Sequence, residues 1–379
     1  MPHVSIPRVR LAWANLLHDR ARLVTTLVGI TFSVFLMLYQ GSLLLGFVRA
    51  ASAVIDATTA DLWIMGRDVT CFDFPAPLPE RFGHIARGIP GVGAVRRTVT
   101  GITQWHRPDG VRQTVLVIGA DEGVGERFPL PRLNGATLLP DALVVDRSNA
   151  RLLGVRSIPT DGELGDRRAR IVEFTEGFGS FLATPYVFTT HRDTIRYSNL
   201  PDEYTSYILV WVQSGHDVER VRQDLRARLP EADVLTGRQF AQRSRLFWVF
   251  GTGAGGALFI AGMLGFIIGV VIVSQSMYAT TMENLDEFAT LKAMGASRRF
   301  VLTIVLVQAA VLAVVGCAFG IALALPSVSL TERFFIPWIF TPPWYTPFVV
   351  AASLAMCALA SVVSIRKALS AEPARVFRA

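Results

Sequence analysis

The stretch Ala279-Thr-Thr-Met-Glu-Asn-Leu-Asp-Glu-Phe-Ala-Thr-Leu-Lys-Ala-Met-Gly-Ala-Ser-Arg-Arg299 lies between two long apolar runs, Leu246 to Val273 and Phe300 to Leu325. Because a bilayer core is about 30 Å thick and needs about 20 apolar helical residues to cross, each run is long enough to span a membrane. Neither run contains a charged residue. The charged stretch is too polar to remain in lipid, so the sequence predicts two membrane-spanning helices joined by a segment outside the bilayer.

The joining segment has the spacing of a short amphipathic helix. Glu283, Asp286 and Glu287 fall on one acidic face, and the residues of the opposite face are apolar: Met282, Leu285, Phe288 and Ala289. Gly295 suits the end of this helix, and Ser297 suits the N-cap of the next. We predict a coupling helix within residues 279–299 that docks in a groove of a partner. The alternative is a helix lying on the inner leaflet, which the acidic residues disfavour because anionic lipid repels them.

Composition places the chain among membrane proteins. Its 379 residues are 51% hydrophobic and only 18% charged, with a formal net charge of +7 and a mean hydropathy of +0.41. Residues 1–22 carry four arginines against one aspartate, and residues 366–379 carry four basic residues against one glutamate. The positive-inside rule therefore places both termini in the cytoplasm, with the chain in the inner (plasma) membrane. Since the basic residues flank spans instead of forming a stripe, nucleic acid is excluded as a partner.

The expected fold is a polytopic α-helical membrane protein with four transmembrane helices and an α+β extracytoplasmic domain between the first two. A signal peptide is the alternative for the first apolar run, but its length exceeds the about 7–15 residues of a signal sequence. The expected segments, in order, are an amphipathic N-terminal helix (1–22), TM1 (23–49), the extracytoplasmic domain (50–238), a stalk with TM2 (239–278), the coupling helix (279–299), TM3 (300–325), an aromatic outer loop (326–347), TM4 (348–365) and a cytoplasmic tail (366–379).

The extracytoplasmic segment contains short runs of apolar, β-branched and aromatic residues that read as strands: 61–65, 111–118, 142–145, 186–189 and 206–212. Two stretches share a helix, proline, strand pattern, namely 78–95 and 217–235. We interpret them as two βαβ-type halves packed together, with a strand-rich insertion between them.

Residues 239–278 are predicted to form one continuous helix about 60 Å long, twice the hydrocarbon thickness. Small residues at helical spacing allow close helix approach in lipid. They mark a helix-packing or dimer seam, whose alternative is ordinary packing within the chain: Gly251, Gly255, Gly265, Gly269, Gly316 and Gly320.

No motif for chemistry accompanies this architecture. A P-loop needs Gly-Lys, but Leu291 and Arg366 precede the two lysines of the chain. The six histidines have no metal-ligand spacing, and no Gly-x-Ser-x-Gly elbow occurs. The paired carboxylates Asp121-Glu122 and Asp202-Glu203 read as solvated loop charges. We therefore predict no catalytic, cofactor-binding or metal-binding residue in this chain.

The run Asp286-Glu-Phe-Ala-Thr-Leu-Lys-Ala-Met-Gly-Ala-Ser-Arg-Arg299 resembles the E-x-A-x-L-K-A-x-G-A-S signature of the FtsX-like ABC permease family, which includes macrolide exporters and lipoprotein-releasing permeases. The order of one span, a large outer domain and three further spans is also similar, as is the tail from Arg366. Residues 269–278 and 61–66 are similar, more narrowly, to the DevC-type branch, which exports glycolipids.

The resemblance implies a permease subunit that binds no cofactor itself, since ATP and Mg²⁺ belong to a separate ABC ATP-binding subunit. A second permease protomer, a periplasmic adaptor and an outer-membrane channel are implied as further partners, besides membrane lipid. The residues expected to couple to the ATP-binding subunit are Glu283, Asp286, Glu287, Phe288, Leu291, Lys292, Met294 and Gly295.

Mechanical transmission to the outer domain is the expected mechanism, because the spans offer no polar lining for a channel, and the expected cargo is a lipid, a hydrophobic compound or another envelope substrate. A regulatory or signalling protein that controls an extracytoplasmic partner remains the alternative. A membrane-anchored enzyme would need a catalytic constellation that the sequence lacks.

Overall fold

The computed structural model describes residues 20–121, 140–182, 184–285, 287, 289–290, 294 and 297–369. Its helices are α1 (Arg20–Ala50), α2 (Ala53–Ala57), α3 (Arg81–Arg87), α4 (His191–Ser198), α5 (Val218–Arg228), α6 (Gly237–Leu246), α7 (Ala254–Glu283), α8 (Arg298–Phe334) and α9 (Tyr345–Leu369). Its strands are β1 (Leu62–Gly66), β2 (Leu78–Pro79), β3 (Val92–His106), β4 (Arg112–Ala120), β5 (Ala142–Asp146), β6 (Thr160–Leu164), β7 (Arg167–Thr175), β8 (Tyr186–Thr190), β9 (Tyr204–Thr205), β10 (Tyr207–Val212) and β11 (Ala232–Thr236).

Four of these helices, α1, α7, α8 and α9, are long and apolar enough to cross a membrane. The chain divides into two units, which we call the membrane unit (Met1–Leu45, Gly256–Thr331, Ile339–Ala379) and the α+β domain (Gly46–Gly255, Glu332–Trp338). The α+β domain is inserted between the first and second membrane helices, which confirms the predicted fold class.

Helix α1 contacts the other three helices of the membrane unit. Ile30, Val34 and Leu38 are fully buried on it. The Tyr345 hydroxyl of α9 donates a 2.8 Å hydrogen bond to the Met37 carbonyl, and glycines of α7 and α8 also face α1. By contrast, α7 exposes much of its surface, including Phe259, Ile260, Met263, Leu264, Ile267 and Val271.

The α+β domain is built on a nine-stranded sheet with strand order β11-β1-β10-β3-β4-β8-β5-β7-β6. The first four of these strands pair antiparallel. With α3 between β1 and β3, and α5 between β10 and β11, they form a βαββαβ unit with the strand order of ferredoxin-like folds. The remaining strands belong to residues 107–203, inserted between β3 and β10, and include the parallel pairs β4–β8 and β5–β7. The prediction of two similar halves with a strand-rich insertion is confirmed.

Both faces of this sheet are covered, which explains why β1 is apolar throughout. Leu62 and Ile64 pack in one core with residues of α3 and α5. Trp63 and Met65 point to the opposite face and pack with residues of α2 and α6. A strand buried on both faces needs continuous apolar sequence instead of alternation.

The predicted 40-residue stalk helix is wrong. Helix α6 ends at Leu246, a π-helical turn covers Phe247–Gly251, and α7 starts only at Ala254. Gly253 has φ +74°, a left-handed conformation that breaks the helix and that glycine adopts without a Cβ clash. Four glycines lie between residues 251 and 256, and each weakens a helix interior by about 1 kcal/mol relative to alanine. The apolar run is thus divided between the α+β domain and the membrane unit.

The third span also differs from its prediction, because α8 continues to Phe334 with Pro326 inside it. Pro326 has no N–H for the Ala322 carbonyl, and the Ser327 hydroxyl donates to the adjacent Leu323 carbonyl at 2.7 Å. Helix is the favoured backbone form in an apolar environment, and prolines inside spans are tolerated when neighbouring groups satisfy the freed carbonyls. The predicted outer loop 326–347 is therefore reduced to the short link between α8 and α9. The predicted N-terminal helix lies mostly outside the described residues.

Candidate functional site

The segment between α7 and α8 holds the predicted coupling residues. Of these, Glu283, Glu287 and Met294 are described; Asp286, Phe288, Leu291, Lys292 and Gly295 lie outside the described residues. Met294 donates its backbone N–H to the Thr290 carbonyl at 3.0 Å. At the start of α8, the Ser297 hydroxyl accepts the Phe300 N–H at 3.3 Å. Ser297 thus caps α8, as the sequence predicts.

Glu283 does not belong to a free acidic face. Its carboxylate accepts two hydrogen bonds from the Arg22 guanidinium, at 2.5 and 2.7 Å, so the pair is bidentate. Glu283 is the last residue of α7, and Arg22 lies in the first turn of α1. One turn further along α1, the Thr26 hydroxyl forms a hydrogen bond with the Ser276 hydroxyl of α7. These contacts tie the end of α7 to the start of α1.

The rest of the described segment has two distinct faces. Leu285 and Ala289, one helical turn apart, are buried in the membrane unit. Glu287 and Met294 are exposed, and 72% of Met294 is accessible. Two residues of the apolar face that we predicted to enter a partner's groove therefore pack against this chain, whereas Met282 is 39% exposed. The surface left for a partner combines an acidic group with an unusually exposed methionine, and we call Glu287 and Met294 the coupling surface.

The six glycines of the predicted seam fall into two groups. A Cβ at Gly265 would lie 2.9 Å from Leu36 Cβ, and a Cβ at Gly316 would lie 2.4 Å from Ile30 Cγ2. Residues of α1 also crowd Gly269 and Gly320, and Met356 of α9 contacts Gly269 as well. These four allow α7 and α8 to approach α1. Gly251 and Gly255 instead meet Phe247 and Val249 of their own turn, so their part in a seam stays a prediction.

Gly320 offers a test of this close packing. Replacing Gly320 with leucine places a Cβ 2.6 Å from Val34 Cβ, whereas a Cβ added at Gly256 would meet no atom within 4 Å. Overpacking of this kind costs about 1–3 kcal/mol. We expect Gly320→Leu to lower the thermal inactivation midpoint of the purified chain by several degrees, and Gly256→Leu to leave it unchanged. Equal midpoints for the two variants, measured by size-exclusion chromatography after heating, would contradict a tight α1–α8 contact.

Within the α+β domain, Asp73 joins three distant parts of the chain. This buried carboxylate, 4% exposed, accepts a hydrogen bond from the Tyr186 hydroxyl at 2.6 Å and another from Trp248 Nε1 at 3.1 Å. Burial raises the pKa of Asp73, although the two donors act in the opposite direction. Tyr186 is at the start of β8, and Trp248 is in the π-helical turn that precedes the second span. Asp73 therefore fixes that turn to the sheet.

Aromatic rings pack around Trp248 next to its hydrogen bond with Asp73. Trp248 packs edge-on against Phe181 with ring centroids 4.7 Å apart. Phe47, near the end of α1, contacts both of these rings and Trp338. We call Asp73, Trp248, Phe181, Phe47 and Trp338 the base cluster. Sequence reasoning missed it because Trp248 looked like part of a span; the acidic residue in Cys71-Phe-Asp-Phe74 was the available signal.

The surroundings of Asp121 differ from those that the sequence predicted. It is not a solvated loop charge, because Arg97 donates to both of its oxygens at 2.9 Å. Although burial acts in the opposite direction, the hydrogen bonds and charge of Arg97 hold the pKa of Asp121 below its ordinary value. Glu80 also pairs with Arg97. Asp202 and Glu203 are exposed, as predicted.

No chemistry of bond cleavage or metal binding is apparent at these places. Among the residues that the structure describes, no three His, Cys, Asp or Glu side chains are grouped so that they could hold a metal ion. The three cysteines are buried and unpaired. Burial raises the pKa of Cys71 to about 11, which disfavours the reactive thiolate.

Comparison with known families agrees with this architecture. The model for the FtsX-like permease C-terminal region matches residues 256–373. The model for the MacB-like periplasmic core domain matches residues 23–228, more than half of the chain. The chain belongs to the MacB/FtsX-type ABC transporter permeases. The resemblance drawn from the joining segment is thereby confirmed for the FtsX-like family, and the narrower DevC-type assignment stays a prediction.

Curated relatives of this permease match it over nearly its full length or over part of it. An ABC transporter permease of Mycobacterium tuberculosis is 25% identical over 367 residues, which are 94% of this chain and 96% of the relative. One from Methanocaldococcus jannaschii is 25% identical over 172 residues, covering 42% of this chain and 41% of the relative. Both carry the name "uncharacterized ABC transporter permease". The periplasmic region of MacB from Actinobacillus actinomycetemcomitans aligns with TM-score 0.37 at 10% identity, covering 50% of this chain and 94% of that structure.

The permease is thus a multi-pass membrane protein with a periplasmic-type α+β domain. Its relatives are named as permeases. The coupling surface lies within the region matched by the FtsX-like model, and most of the base cluster lies within the region matched by the MacB-like model or just after it. The chain therefore carries both a family-type membrane half and a family-type outer half.

Proposed function

We propose that this permease couples ATP hydrolysis by a separate ATP-binding subunit to movement of its α+β domain, and so drives export of a lipid, a hydrophobic compound or another envelope substrate. The supporting observation is the coupling surface, where a carboxylate and an exposed methionine are presented by a segment whose other face is buried. Methionine is among the side chains that are enriched at protein interfaces relative to the rest of the surface. ATP and Mg²⁺ would be bound by the partner chain.

Helix α1 is the best route for the movement. It runs without a break from Arg20 to Ala50, about 46 Å at 1.5 Å per residue. Arg22 near one end is paired with Glu283, the last residue of α7, and Phe47 near the other end belongs to the base cluster. A push on the coupling surface would therefore reach the base cluster along α1. The second span is a less direct route because the chain is broken at Gly253.

The proposed setting is the inner membrane, with both termini in the cytoplasm and a second permease protomer completing the assembly. The close contacts of α1 with its neighbours leave the exposed apolar side of α7 for lipid or that protomer. A periplasmic adaptor and an outer-membrane channel are proposed as further partners, by the resemblance to exporters of this family.

Cysteine labelling tests the orientation on which this function depends. The native cysteines are buried, so a membrane-impermeant maleimide reports only an introduced thiol on the folded chain. We expect Met294→Cys to be unreactive in intact spheroplasts and reactive in inverted vesicles. Arg192→Cys, at an exposed position of α4, should show the opposite pattern. Labelling of Met294→Cys from the outside would refute contact with a cytoplasmic ATP-binding subunit.

A further inference from the structure

A groove in the α+β domain is lined by residues outside the base cluster. Its volume is about 700 Å³, and its lining includes Arg107, Asp109, Arg151, Arg156 and Thr160. Typical small-molecule sites have volumes of about 300–1,000 Å³. The groove is therefore large enough for an organic ligand.

The groove carries an excess of positive charge. Three arginines line it against a single carboxylate, that of Asp109, which pairs with Arg107. Within the described part of the chain, no carboxylate pairs with Arg151 or Arg156. A concave surface with charge of one sign raises the local concentration of oppositely charged ligands.

Two of the guanidinium groups are held in place before any ligand arrives. Arg107 donates to the Leu152 carbonyl at 3.3 Å and to the Asp109 carboxylate. The backbone at Gly154, which has φ +70°, lies against the Arg107 side chain. A Cβ at this position would lie 2.7 Å from Arg107 Nε. Arg151 lies over the Phe334 ring, 5.1 Å from its centroid. Ring stacking engages the face of a guanidinium and leaves its N–H edge available to an oxyanion.

The two walls of the groove are also joined rigidly. The tip of the β3–β4 hairpin forms one wall, closed by the hydrogen bond from the Arg107 N–H to the Val111 carbonyl at 2.9 Å. Trp105, 1% exposed, donates from Nε1 to the Leu153 carbonyl at 2.9 Å and so holds the second wall against the hairpin. Pre-organised donors lose less entropy on binding than mobile ones.

We propose that this groove binds a ligand through a phosphate or carboxylate group, held by Arg151 and Arg156 with Arg107 behind them. Arginine recognises such planar or tetrahedral oxyanions with paired N–H donors. A free anionic metabolite and an anionic lipid head group share this chemistry. Pro108 and Val155 in the lining provide apolar surface for the remainder of an organic ligand.

Isothermal titration of the full chain in an uncharged detergent tests the groove. The probes are inorganic phosphate, a water-soluble short-chain phosphatidylglycerol and the matching zwitterionic phosphatidylcholine. We expect at least one anionic probe to bind the native chain, and its affinity to fall at least tenfold in Arg151→Gln/Arg156→Gln. Binding of phosphate with the same affinity as phosphatidylglycerol identifies a free-anion site, and binding of phosphatidylglycerol alone identifies a lipid head-group site.

The control Arg192→Gln/Arg228→Gln removes the same charge from exposed positions outside the groove and should bind like the native chain. Arg156→Gln alone changes one exposed side chain, cannot disturb the core and should still weaken binding several-fold. Equal affinity in the groove variants and the control would overturn the proposal. So would a failure of both anionic probes to bind, or binding of phosphatidylcholine with the same affinity as phosphatidylglycerol.

Discussion

The double variant Glu287→Lys/Met294→Asp is expected to lose its ATP-binding subunit. Both side chains are exposed on a segment whose other face, Leu285 and Ala289, is buried. Reversing the carboxylate and placing a charge at the apolar anchor should each cost about 2 kcal/mol, or about 30-fold in affinity. Co-purification of the ATP-binding subunit with the tagged permease from detergent extracts measures the loss.

The matched control keeps the shape of both side chains. Glu287→Gln/Met294→Leu retains hydrogen bonding and apolar contact, so we expect an intermediate or unchanged recovery of the ATP-binding subunit. Glu332→Lys reverses an exposed charge elsewhere and should have no effect. If the double charge variant retains a native amount of ATP-binding subunit, the coupling surface has been assigned to the wrong residues.

The second large effect is expected at Asp73, where alanine would leave two buried donors without an acceptor. The Tyr186 hydroxyl and Trp248 Nε1 both donate to this carboxylate, and each orphaned donor costs about 1–3 kcal/mol. We expect Asp73→Ala to lower the free energy of unfolding of the α+β domain by about 2–6 kcal/mol. Urea titration followed by tryptophan fluorescence measures this, with the exposed Asp68→Ala as the control.

Asp73 also predicts a pH dependence with a definite sign. Because burial raises the pKa of its carboxyl, the folded domain binds this proton more tightly than the unfolded chain does. Its contribution to stability is then complete below the ordinary aspartate pKa of about 4 and is lost as the pH rises through the folded pKa. In Asp73→Asn, which cannot titrate, this part of the pH dependence should disappear. If the stability of the native chain and that of the Asp73→Asn variant change with pH at the same slope, Asp73 does not titrate in this range.

The coupling surface and the base cluster make opposite demands on their side chains. The coupling surface needs exposed side chains that contribute nothing to the fold of the isolated chain. The base cluster needs buried ones, because the movement that we propose for α1 would reach the α+β domain only if Phe47 and Trp248 are firmly packed. We therefore expect variants of the coupling surface to fold normally and to fail in assembly, and variants of the base cluster to fail in stability first.

Local patterns predicted much of this molecule. The four membrane helices follow from uninterrupted apolar runs, and the strands near 62, 112, 142, 186 and 207 follow from β-branched and aromatic runs. The Ser297 cap depends only on neighbouring residues, and the structure contains it. The E-x-A-x-L-K-A-x-G-A-S pattern indicated the family without any knowledge of the outer domain.

Long-range partners could not be predicted in the same way. Glu283 looked free because its partner, Arg22, is 261 residues away. The Asp121 carboxylate looked solvated because Arg97 is brought beside it only when β3 and β4 pair. The helical break at Gly253 and the continuous helix through Pro326 depend on how turns and spans are packed, which local composition does not show.

The sequence by itself determined how many times the chain can cross a membrane, where the α+β domain is inserted and which segment has the family signature, because apolar length and local spacing are sufficient for each. Only the tertiary structure decided which charges are paired, where the second apolar run leaves the α+β domain and which side chains form the base cluster and the arginine groove. The physical reason is that burial and hydrogen bonding depend on residues far apart in the chain, which hydropathy and periodicity do not connect.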